Sequence, residues 1–325
     1  MVELRLYRYF VTLAETLHFG RAAAMHGIAQ PPFSQQIQKL ERELGTLLLR
    51  RSNRHVELTD AGSVFLGEAR RTLAAAERAE RAARLAGEGR TGRIAIGMIS
   101  SASYEDMISA IVRRMGQRYP SVDIALLEMT TPQQLQALQS GEVQIGFVRP
   151  PIFEASYSTF TVRREPLLLA LPSTHRMAAE SEIELRSLAR DPWVMLPSDM
   201  GLGFYEQVIG VCKKAGFTPE AHQVATQIHT MISLVAAGLG VTLVPASVSS
   251  MRRTGIVYRR LKDKPEPVET IAVWMPARLS PLLENLLGII HEVADEYETR
   301  EESEMHSSEK RQGLRRARGA GRIHF

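Results

Sequence analysis

Residues 20–45 read GRAAAMHGIAQPPFSQQIQKLERELG. Two helical segments meet at a tight turn in this stretch. The first, Gly20 to His26, holds the small residues Ala22, Ala23 and Ala24 and is broken by Gly27. The second starts near Pro31 and Pro32, a residue type tolerated in a first helical turn. It sets Phe33, Ile37, Leu40 and Leu44 on one face and stops at Gly45. Upstream, Leu6, Phe10, Leu13 and Leu17 recur at i, i+4, i+7 and i+11, the stripe of another helix. Three short helices with a tight turn between the second and third predict a helix-turn-helix.

The third helix spends one face on the core. Gln30, Ser34, Gln35, Gln38 and Lys39 therefore project elsewhere. Glutamine can pair bidentately with adenine, and serine can reach phosphate or either base type. Pro31 and Pro32 offer apolar surface that can meet thymine methyls. Next, LLLRRSNRHVELT (47–59) has two apolar runs around the polar turn Ser52-Asn53-Arg54, a small β-hairpin. A wing beside a duplex needs cations near phosphates or in the minor groove, and Arg51 and Arg54 are the candidates. Arg50 either joins them or pairs locally with an acid.

Thr59 and Asp60 open a further helix as cap and first-turn acid. It reaches about Ala86, a length of roughly 40 Å. Gly62, Phe65, Ala69, Thr72, Ala76, Ala79, Ala83 and Ala86 form a 3-4-3-4 seam of mostly small residues. A long helix with one apolar seam does not bury itself, so a dimer seam is expected; packing against its own domain is the alternative. GEGRTG (87–92) matches G-x-G-x-x-G only formally. It follows a helix and opens a strand, the reverse of the dinucleotide context, and is expected to be a flexible hinge.

From residue 93 strands and helices alternate, which predicts an α/β body with a mostly parallel sheet. Strands are expected at RIAIGM, VDIALLE, VQIGFV, PLLLALP, WVML, HQVAT, VTLVP and ETIAVWMP. Helices are expected at about 104–117, 132–139, 204–215, 229–237 and 281–296. About 205 residues suits two lobes, with PLLLALP and ETIAVWMP as crossovers. The expected division is a DNA-binding head at 1–58, a linker helix and hinge at 59–89, and a body at 90–297. Within the body, lobe I takes about 90–163 and 269–297, and lobe II about 164–268. The tail 298–325 is basic, poor in apolar residues and expected to be disordered.

The chain has 325 residues, a net charge of +4 and one cysteine, Cys212. The single thiol excludes an intrachain disulfide framework and any multi-cysteine zinc site. Charge is uneven: residues 1–93 carry 15 Lys/Arg against 10 Asp/Glu, while residues 94–297 carry 18 against 21. A basic head on a slightly acidic body suits a polyanion at the head. No run of 18 uncharged apolar residues marks a membrane span, and the N-terminus lacks the apolar core of an export signal. A cytoplasmic location is expected. HExxH, GxSxG and GxxxxGKS are absent, the histidines show no metal spacing, and S-x-x-K at 307–310 lies in the polar tail. Neither an enzyme nor a metal or organic cofactor is expected.

Residues 1–65 resemble the LysR-type transcriptional regulators, through RAA, then AQPP-S-QI-LE-ELG, then R-LT-AG. GMISS, EMTTPQQLQAL, IGFVRPP and LVAAGLGVTLVPAS extend the resemblance to about residue 297. They are similar to the branch that governs aromatic and chloroaromatic catabolism. The resemblance implies a winged helix-turn-helix, a long dimerisation helix and a two-lobed effector domain like a periplasmic binding protein. It implies homodimers assembling to homotetramers on double-stranded promoter DNA, a small-molecule inducer, and RNA polymerase as a further partner. Activation and repression both fit it. Many relatives carry Arg after the serine where this chain has Gln35.

In the branch resembled, three segments line the inducer cleft. Carried over by position, they give Ser100, Ser101, Thr131, Leu202 and Phe204, with Arg149 after IGFV as a basic residue beside them. Helix N-termini favour carboxylates, and Thr131, before Pro132, is read as an N-cap. The expected effector is a small carboxylate, aromatic or muconate-like. A solute receptor without a transcriptional role is the rival reading, and the fused head argues against it.

Overall fold

The computed structural model describes residues 2–51, 55–198 and 202–299. Arg54 and the basic tail beyond residue 299 lie outside the described residues. Two compact units divide between Ala86 and Gly87.

In the first unit, α1 (Leu4–Thr16), α2 (Phe19–Met25) and α3 (Gln30–Leu44) pack around Leu6, Phe10, Leu13, Phe33, Ile37 and Leu40. The predicted stripes are thus the core, except that Leu17 is the exposed left-handed cap after α1 and Leu44 is half-buried. Gly27 and Gly45 take φ of +64° and +67°, the left-handed turns that end α2 and α3 and that glycine adopts without strain. The wing is β1 (Leu49–Arg51) antiparallel to β2 (Val56–Leu58). Thr59 caps α4 (Asp60–Gly87), accepting from Gly62 N at 2.9 Å.

The linker seam divides in two. Gly62 and Ala69 are buried, and the Phe65 ring packs tilted against Phe10 and Tyr7 with centroids 5.2 Å apart, so the first turns of α4 pack on their own domain. A Cβ on Gly62 would stand 2.0 Å from Leu48 O, which is why a glycine is needed there. From Thr72 to Ala86 the helix is exposed or half-buried in the single chain. The expected hinge is not loose at its centre. Gly89 is buried against the backbone of Pro281 and Leu282, and Asn285 Nδ2 donates to the carbonyls of Glu88 and Gly89.

The second unit has two lobes. In lobe I, β3 (Thr91–Met98) lies between β4 (Ser121–Glu128) and β5 (Ile145–Val148), all parallel. β6 (Ser158–Glu165) is the far edge, paired with the last strand of the chain (Val268–Trp274), which also pairs with β5. α5 (Asp106–Arg118), α6 (Thr131–Ser140) and the helical residues 281–299 cover this sheet. Lobe II contains β7 (Leu167–Pro172), β8 (Glu182–Ile183), β9 (Trp193–Met195), β10 (Ala221–Val224), β11 (Thr242–Pro245) and β12 (Ile256–Leu261). Its main sheet runs β11-β7-β12-β8, β9 pairs with β10, and α7 (Leu202–Lys214) and α8 (Ile228–Ala236) pack on it.

The mostly parallel sheet is corrected to two mixed sheets. The last strand, β13 (Val268–Trp274), is antiparallel to both neighbours, and β7 is antiparallel to β11 and β12. The reason is topological. The chain leaves lobe I at the end of β6 and returns at the same end, where Val268 pairs with Glu165, so β13 must run opposite to β6. PLLLALP and ETIAVWMP are therefore strands within the lobes; the crossings are Pro166 and residues 262–267 beside them. β6, β8 and β12 are not among the expected strands. Among the described residues no helix is long and apolar enough to cross a membrane.

Candidate functional site

The head presents the predicted surface. Gln30, Pro31, Pro32, Gln35 and Gln38 are exposed on α3, and Ser34 and Lys39 are half-buried. Lys39 Nζ is engaged by Glu3 at 2.9 Å and lies 3.8 Å from Glu43, so its charge is already partly offset. α2 is held by His18, whose Nδ1 accepts from Arg21 N, and by His26, whose Nε2 is 2.8 Å from Thr12 Oγ1. The expectation for the wing arginines is corrected: the residue that pairs with a buried acid is Arg51, not Arg50. Arg51 Nη2 donates to Glu41 Oε2 at 2.9 Å, because its strand position faces the end of α3 while Arg50 is on the exposed side opposite Glu57.

A cavity of about 290 Å³ opens between the two lobes of the second unit. It is near the small end of ligand pockets, which span roughly 300–1,000 Å³. Ser100, Ser101, Thr131, Arg149 and Phe204 all line it. Leu202 is the first residue of α7, and its side chain lies outside the described residues. Three helices of 10, 13 and 9 residues begin at this cavity: α6 at Thr131, α7 beside Gly203 and Phe204, and α8 at Ile228. Their positive dipole ends favour an anion, although at α6 Pro132 has no N–H and Gln133 N is taken by Thr130 Oγ1. Gly203 allows α7 to approach so closely, since a Cβ there would sit 2.4 Å from Pro150 O. Gln134 locks α6 to the sheet by donating to Phe147 O at 3.1 Å and Met129 O at 3.0 Å.

Two local expectations are corrected. The N-cap of α6 is Thr130, not Thr131. Thr130 Oγ1 accepts from Gln133 N, and Gln133 Oε1 accepts from Thr130 N at 2.9 Å, a reciprocal capping box. Thr131 is thereby the first helical residue, facing the cavity without the capping duty. Ser100–Tyr104 form a 3-10 turn, and the helix after them starts at Asp106 rather than near Tyr104.

Arg149 is 5% exposed. Its Nη2 donates to Ser101 Oγ at 3.2 Å and to Glu165 Oε1 at 3.4 Å, while Nε and Nη1 have no protein partner. A buried donor left unpaired costs about 1–3 kcal/mol, more when charged, so a ligand oxygen there is favoured. Glu165 also accepts from Ser247 N at 2.7 Å and Ser247 Oγ at 3.2 Å, which ties Arg149 to lobe II. Behind it, the Glu105 carboxyl is pushed up to about 7, first by burial and then by Glu165, against the pull of Arg149, Arg163 and the Thr270 hydroxyl. Ile99, Met129, Leu196, Phe204, Ile228 and Pro245 supply apolar wall, and one acid, Glu128, stands at the exposed rim.

Glu105, Glu165, Gln227 and Ile228 were not foreseen. Glu165 sits in REPLLL, where an acid before an apolar strand reads as a surface turn. Gln227 carries a usable signal, since it directly precedes a helix that is expected from His229 and starts one residue earlier, at Ile228.

The bacterial regulatory helix-turn-helix profile of the lysR family matches residues 4–63, and the LysR substrate binding domain profile matches residues 87–295. The transcriptional regulator IlvR of Caulobacter vibrioides is 38% identical over 90% of this chain and 98% of its own length. CatR of Pseudomonas putida is 35% identical over 90% of this chain and 100% of its own. The crystal structure of full-length CbnR complexed with its target DNA superposes with a TM-score of 0.80 at 28% identity, covering 90% of this chain and 100% of CbnR.

Proposed function

The chain belongs to the LysR family of transcriptional regulators, and we propose that it answers to a small carboxylate, aromatic or muconate-like, held between the lobes with its anionic end against Arg149. It is a DNA-binding regulator with an effector-binding domain, and not an enzyme. The observation that carries the effector reading is Arg149: a buried cation with two unpaired donors at a cavity where three helices begin. A carboxylate supplies the missing acceptor, and the Ser101 and Thr131 hydroxyls complete its hydrogen bonds. Phe204, Ile228 and Met129 then cover an apolar body. IlvR is 38% identical to this chain and CatR 35%, so identity does not select a branch, and the reading rests on the chemistry of the cavity.

On the DNA side, Gln30, Ser34, Gln35 and Gln38 read base edges, with Pro31 and Pro32 as apolar contacts and Arg54 on the wing at a phosphate. Residues 72–86 of the linker pair two copies, and the dimers associate into a tetramer that presents its heads to promoter DNA and RNA polymerase. Effector binding closes the lobes and shifts the spacing of the heads, limited by the effector's differential affinity for the closed form.

Titration calorimetry of the full-length protein with muconates, benzoates, amino acids and neutral sugars tests the site. A carboxylate should bind, and Arg149→Met should remove that binding while leaving the fold intact. Tight binding of a neutral sugar, or carboxylate binding unchanged in Arg149→Met, would overturn it.

A further inference from the structure

Glu41 occupies the last turn of α3 yet is only 6% exposed. Its Oε1 accepts from Leu48 N at 3.0 Å and Leu49 N at 3.2 Å, the two amides where the chain enters the wing. Its Oε2 accepts from Arg51 Nη2 at 2.9 Å. The Arg51 guanidinium in turn lies 5.0 Å from the centre of the Phe19 ring at the start of α2. One buried carboxylate thus joins all three parts of the DNA-binding head: the helix that reads bases, the wing, and the helix between α1 and the turn.

The choice of residue is informative. Holding a loop against a helix needs only an apolar contact, and burying a charge is costly unless every lone pair is used. Here two backbone donors and a guanidinium are positioned at once, which only a carboxylate can accept with this geometry. We infer that Glu41 is a positioning residue for DNA binding, setting the wing against α3, and that Arg51 acts on DNA through Glu41 rather than as a phosphate contact of its own. Its positive charge is neutralised within the head. The wing and the α3 face must reach their groove surfaces together, so a wing released from α3 loses affinity even when both remain folded.

The test uses full-length protein and a duplex selected by that protein from a random-sequence pool, with binding followed by fluorescence anisotropy at several salt concentrations. Glu41→Gln keeps an oxygen for Leu48 and Leu49 but ends the ion pair. Glu41→Gln and Arg51→Gln should each weaken binding roughly tenfold, and the double variant should be no weaker than either single one. Arg51→Gln should leave the salt slope unchanged, whereas loss of a phosphate contact lowers it by about 0.9. Circular dichroism checks the fold of each variant. Losses that add in the double variant, a slope lowered by about one unit in Arg51→Gln, or wild-type binding by either variant would overturn the inference. Should Glu41→Gln unfold the head, Arg51→Gln alone decides through its affinity and slope.

Discussion

Replacing Glu105 by glutamine should stabilise the effector domain at alkaline pH and leave it unchanged in acid. Glu105 is 2% exposed, its Oε1 accepts from Thr270 Oγ1 at 3.0 Å, and its Oε2 has no partner. Burial and the neighbouring Glu165 push its carboxyl up to about 7 from an ordinary 4.5. Because the folded pKa is raised, the folded chain holds its proton more tightly than the unfolded chain. Below about pH 4.5 both states are protonated and there is no penalty. As pH rises towards 7 the unfolded chain gives up the proton first, so stability falls, and above 7 the whole penalty is present. The difference of about 2.5 pKa units corresponds to a cost on the order of 3 kcal/mol. Glutamine keeps the acceptor for Thr270 and removes the charge. The two tryptophans, Trp193 and Trp274, both lie in the second unit, so their fluorescence follows the effector domain alone. Urea unfolding of wild type and Glu105→Gln by tryptophan fluorescence should show the variant more stable by up to about 3 kcal/mol at pH 8.5, with a clearly smaller gap at pH 5.5. Other carboxylates titrate in both proteins and cancel in the comparison. An equal gap at the two pH values would refute the reasoning, since it would mean that Glu105 titrates no differently folded or unfolded.

Gly62→Ala forces a Cβ to within 2.0 Å of Leu48 O and should destabilise the head by about 3 kcal/mol or more. An early transition by circular dichroism, with the tryptophan transition unmoved, is the expected signature. Ala76→Glu places a charge in the part of the linker seam left uncovered in the single chain, and light scattering should show loss of the proposed dimer; an unchanged mass would rule out residues 72–86 as its seam.

The head was legible almost residue by residue. Leu6, Phe10, Leu13, Phe33, Ile37 and Leu40 form its core because helical periodicity is a local property, and Gly27 and Gly45 mark turns that any side chain would strain. Most body strands were legible as apolar runs. Of the three that were missed, STFTVRRE and IVYRRL each hold two adjacent arginines, which break the alternation that marks a strand, and β8 is only two residues long. In β12 the Arg259 guanidinium finds its acceptor at Ala178 O, far away in sequence.

The sequence alone therefore determined what depends on neighbours within a few turns: the helix-turn-helix, its exposed Gln30, Gln35 and Gln38, the cap at Thr59, and the segments bearing Ser101, Thr131 and Phe204. Tertiary structure decided whatever depends on partners remote along the chain. Arg149 meets Ser101 across 48 residues, and Glu165 meets Ser247 across 82. Nothing in the local pattern of IGFVRPP distinguishes a surface arginine from a buried one with two donors to spare. Likewise Arg51 and Arg50 are equivalent as sequence, and the alternation of a strand turns only one of them toward Glu41. A charge takes its role from the dielectric and the partners around it, and those are set within each unit, where the wing packs on α3 and, separately, where the two lobes meet.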